Sequence, residues 1–150
     1  MDRQKPRDAF GAGGRAFQPH QHARLDLGAG AGNLGLVNAQ VARAFGARVL
    51  VSEIQDERVK LAQELGFDTV NPAKEDIVEF TKKWAGEKGM DSVILAVGAT
   101  KANEQALQVI GLTGKVLFFA AGYPAPELKV DSNTIHYREW ELIGTMSAAP

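Results

Sequence analysis

Two kinds of apolar pattern alternate along the chain from residue 25 onward. Short runs rich in aliphatic and β-branched residues, at 25–29, 48–52, 68–70, 92–97, 115–120 and 141–144, predict strands. Between them, apolar positions recur at helical spacing. Leu34, Val37, Val41 and Phe45 fall on one face, and Gly46 is placed to end that helix. Val59, Ala62 and Leu65 precede Gly66 in the same way, Ile77, Phe80, Thr81 and Trp84 mark a third helix, and 103–110 a fourth. Alternation of this kind predicts an α/β fold, a doubly wound parallel sheet with right-handed crossovers, helices on both faces and a ligand crevice at the carboxyl ends of the strands.

Residues 1–22 show neither period and mix Gly, Pro, Gln and charge, so the expectation is a flexible, disordered N-terminal tail followed by a single domain over 23–150. At 150 residues and 45% hydrophobic content the chain can bury one core. With 17 basic and 18 acidic residues, a net charge of -1 offers no general attraction to nucleic acid or to an anionic membrane, which points to a small-molecule partner. The absence of cysteine excludes disulfides, a thiolate nucleophile and cysteine-ligated metal within these residues. No signal-peptide-like apolar run opens the sequence and no run is long enough to span a bilayer, so a cytoplasmic protein is expected.

The candidate chemistry begins at the glycines of "LDLGAGAGNLG", which read in two frames. In the first, Gly30, Gly32 and Gly35 form a dinucleotide fingerprint. Gly30 would allow the tight turn, Gly32 the close approach of a pyrophosphate to the backbone, and Gly35 close packing of helix on strand. In the second, Asp26, Gly28, Gly30 and Gly32 resemble the loop of S-adenosylmethionine-dependent methyltransferases. Glu53 ends the second strand, where an acid can accept hydrogen bonds from both adenosine ribose hydroxyls and would repel a 2′-phosphate, favouring NAD over NADP. Arg58 could stack on the adenine. Both frames place an acid at that strand end, so this region leaves them open.

The downstream half carries more. The segments "GAGNLGLVNAQVARAFGARVLVSE", "DERVKLAQELGFDTVNPAKED", "DSVILAVGA", "LTGKVLFFAAG" and "IHYREWELIGT" together resemble the cofactor domain of medium-chain, zinc-type alcohol and polyol dehydrogenases, closest to the sorbitol and threonine dehydrogenase branch. The resemblance implies a Rossmann-type fold that binds NAD. It implies Gly30, Gly32, Asn33, Leu34 and Gly35 around the pyrophosphate and Glu53 on the ribose. Ala96, Val97, Gly98, Ala120, Ala121 and Gly122 would line the nicotinamide side. It also implies a homodimer in which the last strand, an exposed edge, pairs across a two-fold axis.

Three departures qualify the resemblance. Asn33-Leu34 stand where the family usually has Pro followed by Ile or Val. Asp26 and Gly28 interrupt the first strand, and because an unpaired buried carboxylate is costly, Asp26 should be hydrogen-bonded or lie at an exposed strand start. The family carries its catalytic zinc and substrate on a further domain built mainly before the glycine loop, whereas 29 residues precede Gly30 here and none is cysteine. The expectation is an NAD-binding domain with no catalytic residue and no metal site of its own, the catalytic half being absent or supplied in trans. His20 and His22 offer at most a weak bidentate site. His136 is expected in a loop, and Trp84, Trp140, Phe118 and Phe119 in a core or interface. A methyltransferase core and a standalone nucleotide-sensing module are the competing expectations.

Overall fold

The computed structural model describes residues 23–146, so the expected tail, with His20 and His22, lies outside the described residues. The elements run β1 (Leu25–Ala29), α1 (Asn33–Ala44), β2 (Arg48–Ser52), α2 (Asp56–Glu64), β3 (Asp68–Val70), α3 (Ile77–Ala85), β4 (Met90–Leu95), α4 (Thr100–Val109), β5 (Ile110–Phe118), α5 (Ser132–Arg138) and β6 (Glu141–Gly144). The strands form one six-stranded sheet in the order β3-β2-β1-β4-β5-β6, and every neighbouring pair is parallel. This is the expected Rossmann-type doubly wound architecture.

Alternate residues of each strand supply opposite faces. Val49 and Val51 of β2 join Leu36 and Ala39 of α1, Ala62 of α2 and Phe67 in one buried cluster. Leu50 between them joins Leu27, Ile77, Val93, Ala106, Val116 and Trp140 in the other. Trp140 is buried, and its indole N–H donates to the Gly111 carbonyl at 2.9 Å. Trp84 is half-buried against the same cluster and donates to Asp68.

Several boundaries differ from the sequence expectation. β4 begins at Met90, which is wholly buried and pairs with Ile110 ahead of a register shift. It stops at Leu95, and the carbonyl of Ala96 just beyond lies beside Gly30, where a Cβ would sit 3.2 Å away. β5 likewise starts at Ile110 and ends at Phe118, leaving Ala120 beyond the strand. Gly111 hides the strand's start in the sequence, yet it is required there, since a Cβ would come within 2.1 Å of the Lys88 carbonyl. α5 was not anticipated. Asp131 caps it by accepting the Thr134 N–H at 2.8 Å, which places His136 in a helix rather than a loop.

The largest correction concerns α1. Its predicted apolar face points outward: Leu34 is 64% exposed and Phe45 89%, with Val37 and Val41 also exposed. The buried face is Gly35, Leu36 and Ala39. A Cβ on Gly35 would lie 2.0 Å from the Gly30 carbonyl oxygen, so the helix seats Gly35, flanked by Leu36 and Ala39, against the sheet and turns the longer apolar stripe away. Gly46 and Gly66 do follow the ends of α1 and α2, both in the left-handed region at φ 91° and 84°.

Asp26 is buried in the middle of the sheet rather than at an exposed start. The Arg24 guanidinium donates to its Oδ1 at 2.8 Å, while Oδ2 has no partner among the described residues. The same pairing raises the pKa of Arg24 above its ordinary value.

Two stability predictions follow from this packing. Gly35→Ala should overpack the α1–β1 contact and cost about 1–3 kcal/mol, seen as a Tm lower by several degrees; an unchanged Tm would mean the loop yields freely. Leu36→Ala should cost about 2–5 kcal/mol, whereas Val37→Ala should stay within about 0.5 kcal/mol. Urea midpoints of the two variants reveal which face of α1 is buried.

Candidate functional site

The order of the sheet places β2 and β4 on either side of β1, so the connections leaving β1 and β4 diverge to opposite faces and open a crevice at their carboxyl ends. The chain leaves β1 through Gly30, at φ 98°, whose N–H donates to the Ser52 carbonyl at 2.8 Å. Gly32 is the N-cap of α1, with extended backbone and no side-chain cap, and the first turn contains no acid. Its leading amides therefore lack side-chain acceptors and carry the positive end of the helix dipole, an arrangement suited to an anion.

Glu53 stands at the end of β2 and is only 6% exposed. Its Oε2 accepts the Ala31 N–H at 2.8 Å, and its Oε1 accepts the N–H groups of Ile54 and Gln55 at 2.8 and 3.0 Å. Arg58, half exposed on α2, brings Nη1 to 3.9 Å from Oε2. Beyond the crevice rim, Asp56 at the start of α2 accepts from Lys74 at 2.7 Å and from Asn71 at 3.1 Å. The Lys74 ammonium holds this exposed carboxyl below the usual carboxylate range.

A cavity of about 430 Å³ is lined by Gly30, Gly32, Glu53, Arg58, Ala96 and Val97, among others. An adjoining cavity of about 430 Å³ takes in Asn33, Leu34 and Gly35 and shares Gly32, Arg58 and Ala96 with the first. The glycine loop, the acid and the arginine are thus brought together. Gly98, Ala120, Ala121 and Gly122 line neither cavity. A Cβ on Gly98 would lie 2.4 Å from the Ala121 carbonyl oxygen, and one on Gly122 would lie 2.3 Å from that of Gly98. These glycines let the loops after β4 and β5 touch.

Residues not singled out from the sequence also line the crevice: Gln55, Pro72 and Ala73 after β2 and β3, and Lys101 and Gln105 on α4. Their one available signal was position, because each chain segment leaving a strand's carboxyl end approaches the crevice. Asn71 supports this wall by donating to the Ile54 carbonyl and accepting the Ala73 N–H at 3.0 Å.

The methyltransferase frame is not supported. Asp26 lines a different cavity, of about 480 Å³, beside Phe45 and Gly46 at the far end of α1, away from Glu53. Among the described residues, no group of three or more His, Asp or Glu is placed to hold a metal ion, and no helix is long and apolar enough to cross a membrane.

Comparison with known proteins places the fold in a family. A family model described as zinc-binding dehydrogenase matches residues 33–150. The 2-dehydro-3-deoxy-L-galactonate 5-dehydrogenase of Pseudoalteromonas atlantica is 36% identical over 115 residues, which is 77% of this chain and 33% of that protein. The L-threonine 3-dehydrogenase of Pyrococcus abyssi is 39% identical over 108 residues, 71% of this chain and 30% of that protein. Among solved structures, alcohol dehydrogenase TADH from Thermus sp. ATN1 superposes with a TM-score of 0.74 at 24% identity, covering 82% of this chain and 35% of that one. A protein of Sinorhizobium meliloti assigned as a zinc-binding dehydrogenase, solved bound to NADP, gives a TM-score of 0.73 at 27% identity over 82% of this chain and 37% of that one. The chain spans about a third of the length of the curated relatives it matches. It belongs to the zinc-binding dehydrogenase family.

Proposed function

We propose that this chain is the NAD(H)-binding domain of a zinc-type medium-chain alcohol or polyol dehydrogenase. The observation that carries the reading is the meeting of the uncapped amides of α1 with the buried Glu53 carboxylate at the mouth of one crevice. The residues fit a dinucleotide: backbone amides of 32–35 for the pyrophosphate, Glu53 for the adenosine ribose, Arg58 beside the adenine, and Ala96, Val97 and Gly98 with 120–122 toward the nicotinamide side. When bound, the nicotinamide would supply hydride transfer to or from a secondary alcohol, while the chain's part is binding and orientation. The negative Glu53 favours NAD over its 2′-phosphorylated form.

Zinc does not fit in the same way, since the described residues offer no three-ligand cluster. The catalytic half is read as belonging to further polypeptide or to a partner in trans. The exposed apolar stripe of α1 supports such a partner, because a contiguous bare apolar surface of this kind marks an interaction site. β6 is an edge strand paired on one side to β5, which supports a homodimer through its free edge. A cytoplasmic location completes the proposal.

Thermal-shift measurement with NAD, NADP and S-adenosylhomocysteine tests the reading. NAD at about 100 times its Kd should add about 2.7 kcal/mol and raise Tm by several degrees, with NADP weaker and S-adenosylhomocysteine inert. No shift with either dinucleotide at millimolar concentration would overturn it. Light scattering at high concentration should give twice the chain mass, and a strictly monomeric mass would refute pairing through β6.

A further inference from the structure

We propose that Glu53 is a positioning residue that holds the glycine loop in its ligand-ready shape before a nucleotide arrives. This goes beyond a ribose-accepting role and rests on reading the crevice as a nucleotide site. A carboxylate offers about four acceptor directions. Three are already taken by backbone N–H groups from two separate segments: Ala31 in the loop after β1, and Ile54 and Gln55 at the entry to α2. Glu53 therefore ties together stretches 22 residues apart in the chain.

Ala31 is only 1% exposed, so water does not replace the carboxylate as its acceptor, and an unmet buried donor is costly. The Gly30 N–H is already fastened to the Ser52 carbonyl. Two successive loop residues are thus anchored to the end of β2, one through backbone and one through Glu53. The amides that open α1 follow directly. With three directions filled and Arg58 near Oε2, the carboxylate has room for one ribose hydroxyl rather than two. An amide in its place has one oxygen, so a Glu53→Gln side chain would turn its NH₂ toward at least one backbone N–H.

The test uses the full chain, wild type and Glu53→Gln, with ADP and 2′,3′-dideoxyADP as calorimetric probes and amide hydrogen exchange of the free protein by NMR. The substitution should weaken dideoxyADP binding about tenfold, although that probe has no ribose hydroxyl to lose. Exchange at Ala31 should quicken about tenfold while Leu27 and Val93 in the core keep their rates. Unchanged Ala31 exchange together with unchanged dideoxyADP affinity would reduce Glu53 to a ribose acceptor and overturn the proposal. If wild type binds neither nucleotide, the reading of the crevice fails, and Ala31 exchange still decides the positioning role. If Glu53→Gln unfolds, the wild-type chain decides alone: Ala31 exchanging far more slowly than the uncapped Asn33 supports the tether, and equal rates overturn it.

Discussion

The contact between the Gly30 carbonyl and Gly35 governs the rest of the molecule. A side chain at Gly35 would stand 2.0 Å from that oxygen, so α1 can approach β1 this closely only because the position is glycine. The approach fixes the rotation of α1, and with it which residues are buried, where its first amides lie and which apolar residues face outward. Gly35, Leu36 and Ala39 meet the sheet, and Leu34, Val37, Val41 and Phe45 do not. A surface helix ordinarily buries its bulkiest stripe for the hydrophobic gain. Here steric access outranks that gain, because a backbone clash cannot be relieved by choosing another rotamer.

The same geometry prepares the crevice. Gly30 takes its positive φ and leaves room for the Ala96 carbonyl just beyond β4, at the gap between the two connections. Across that gap, Glu53 meets the loop from β2 through Ala31. An acid so deeply placed is tolerable because three backbone donors surround it, replacing the water it has lost. Asp26 is the contrasting case: one oxygen is paired with Arg24 and the other has no partner among the described residues. The two acids differ in environment because the backbone at a strand's end has free amides to offer, whereas in mid-strand those amides are committed to the ladder.

Much of the fold was legible because local pattern and tertiary structure agreed. The runs at 25–29, 48–52, 68–70 and 141–144 coincide with β1, β2, β3 and β6. Agreement failed where glycines served tertiary contacts. Gly111 lies inside β5, pressed against the Lys88 carbonyl, ahead of the run at 115–120 that marks this strand in the sequence. Lys101, Gln105 and Asn71 had no motif to mark them, since they reach the crevice wall only through the crossing of α4 and the connection after β3.

By itself, the sequence determined the class of fold, the parallel alternation, the glycine loop and the acid about 20 residues beyond it. These depend on spacing along the chain, and spacing is a local property. The tertiary structure alone decided which of two apolar faces α1 buries, that Glu53 is tied to the glycine loop through Ala31, and that Asp26 belongs to another cavity altogether. Each of those outcomes turns on contacts between segments distant in sequence, where a single close approach between backbones outweighs the preferences of the residues around it.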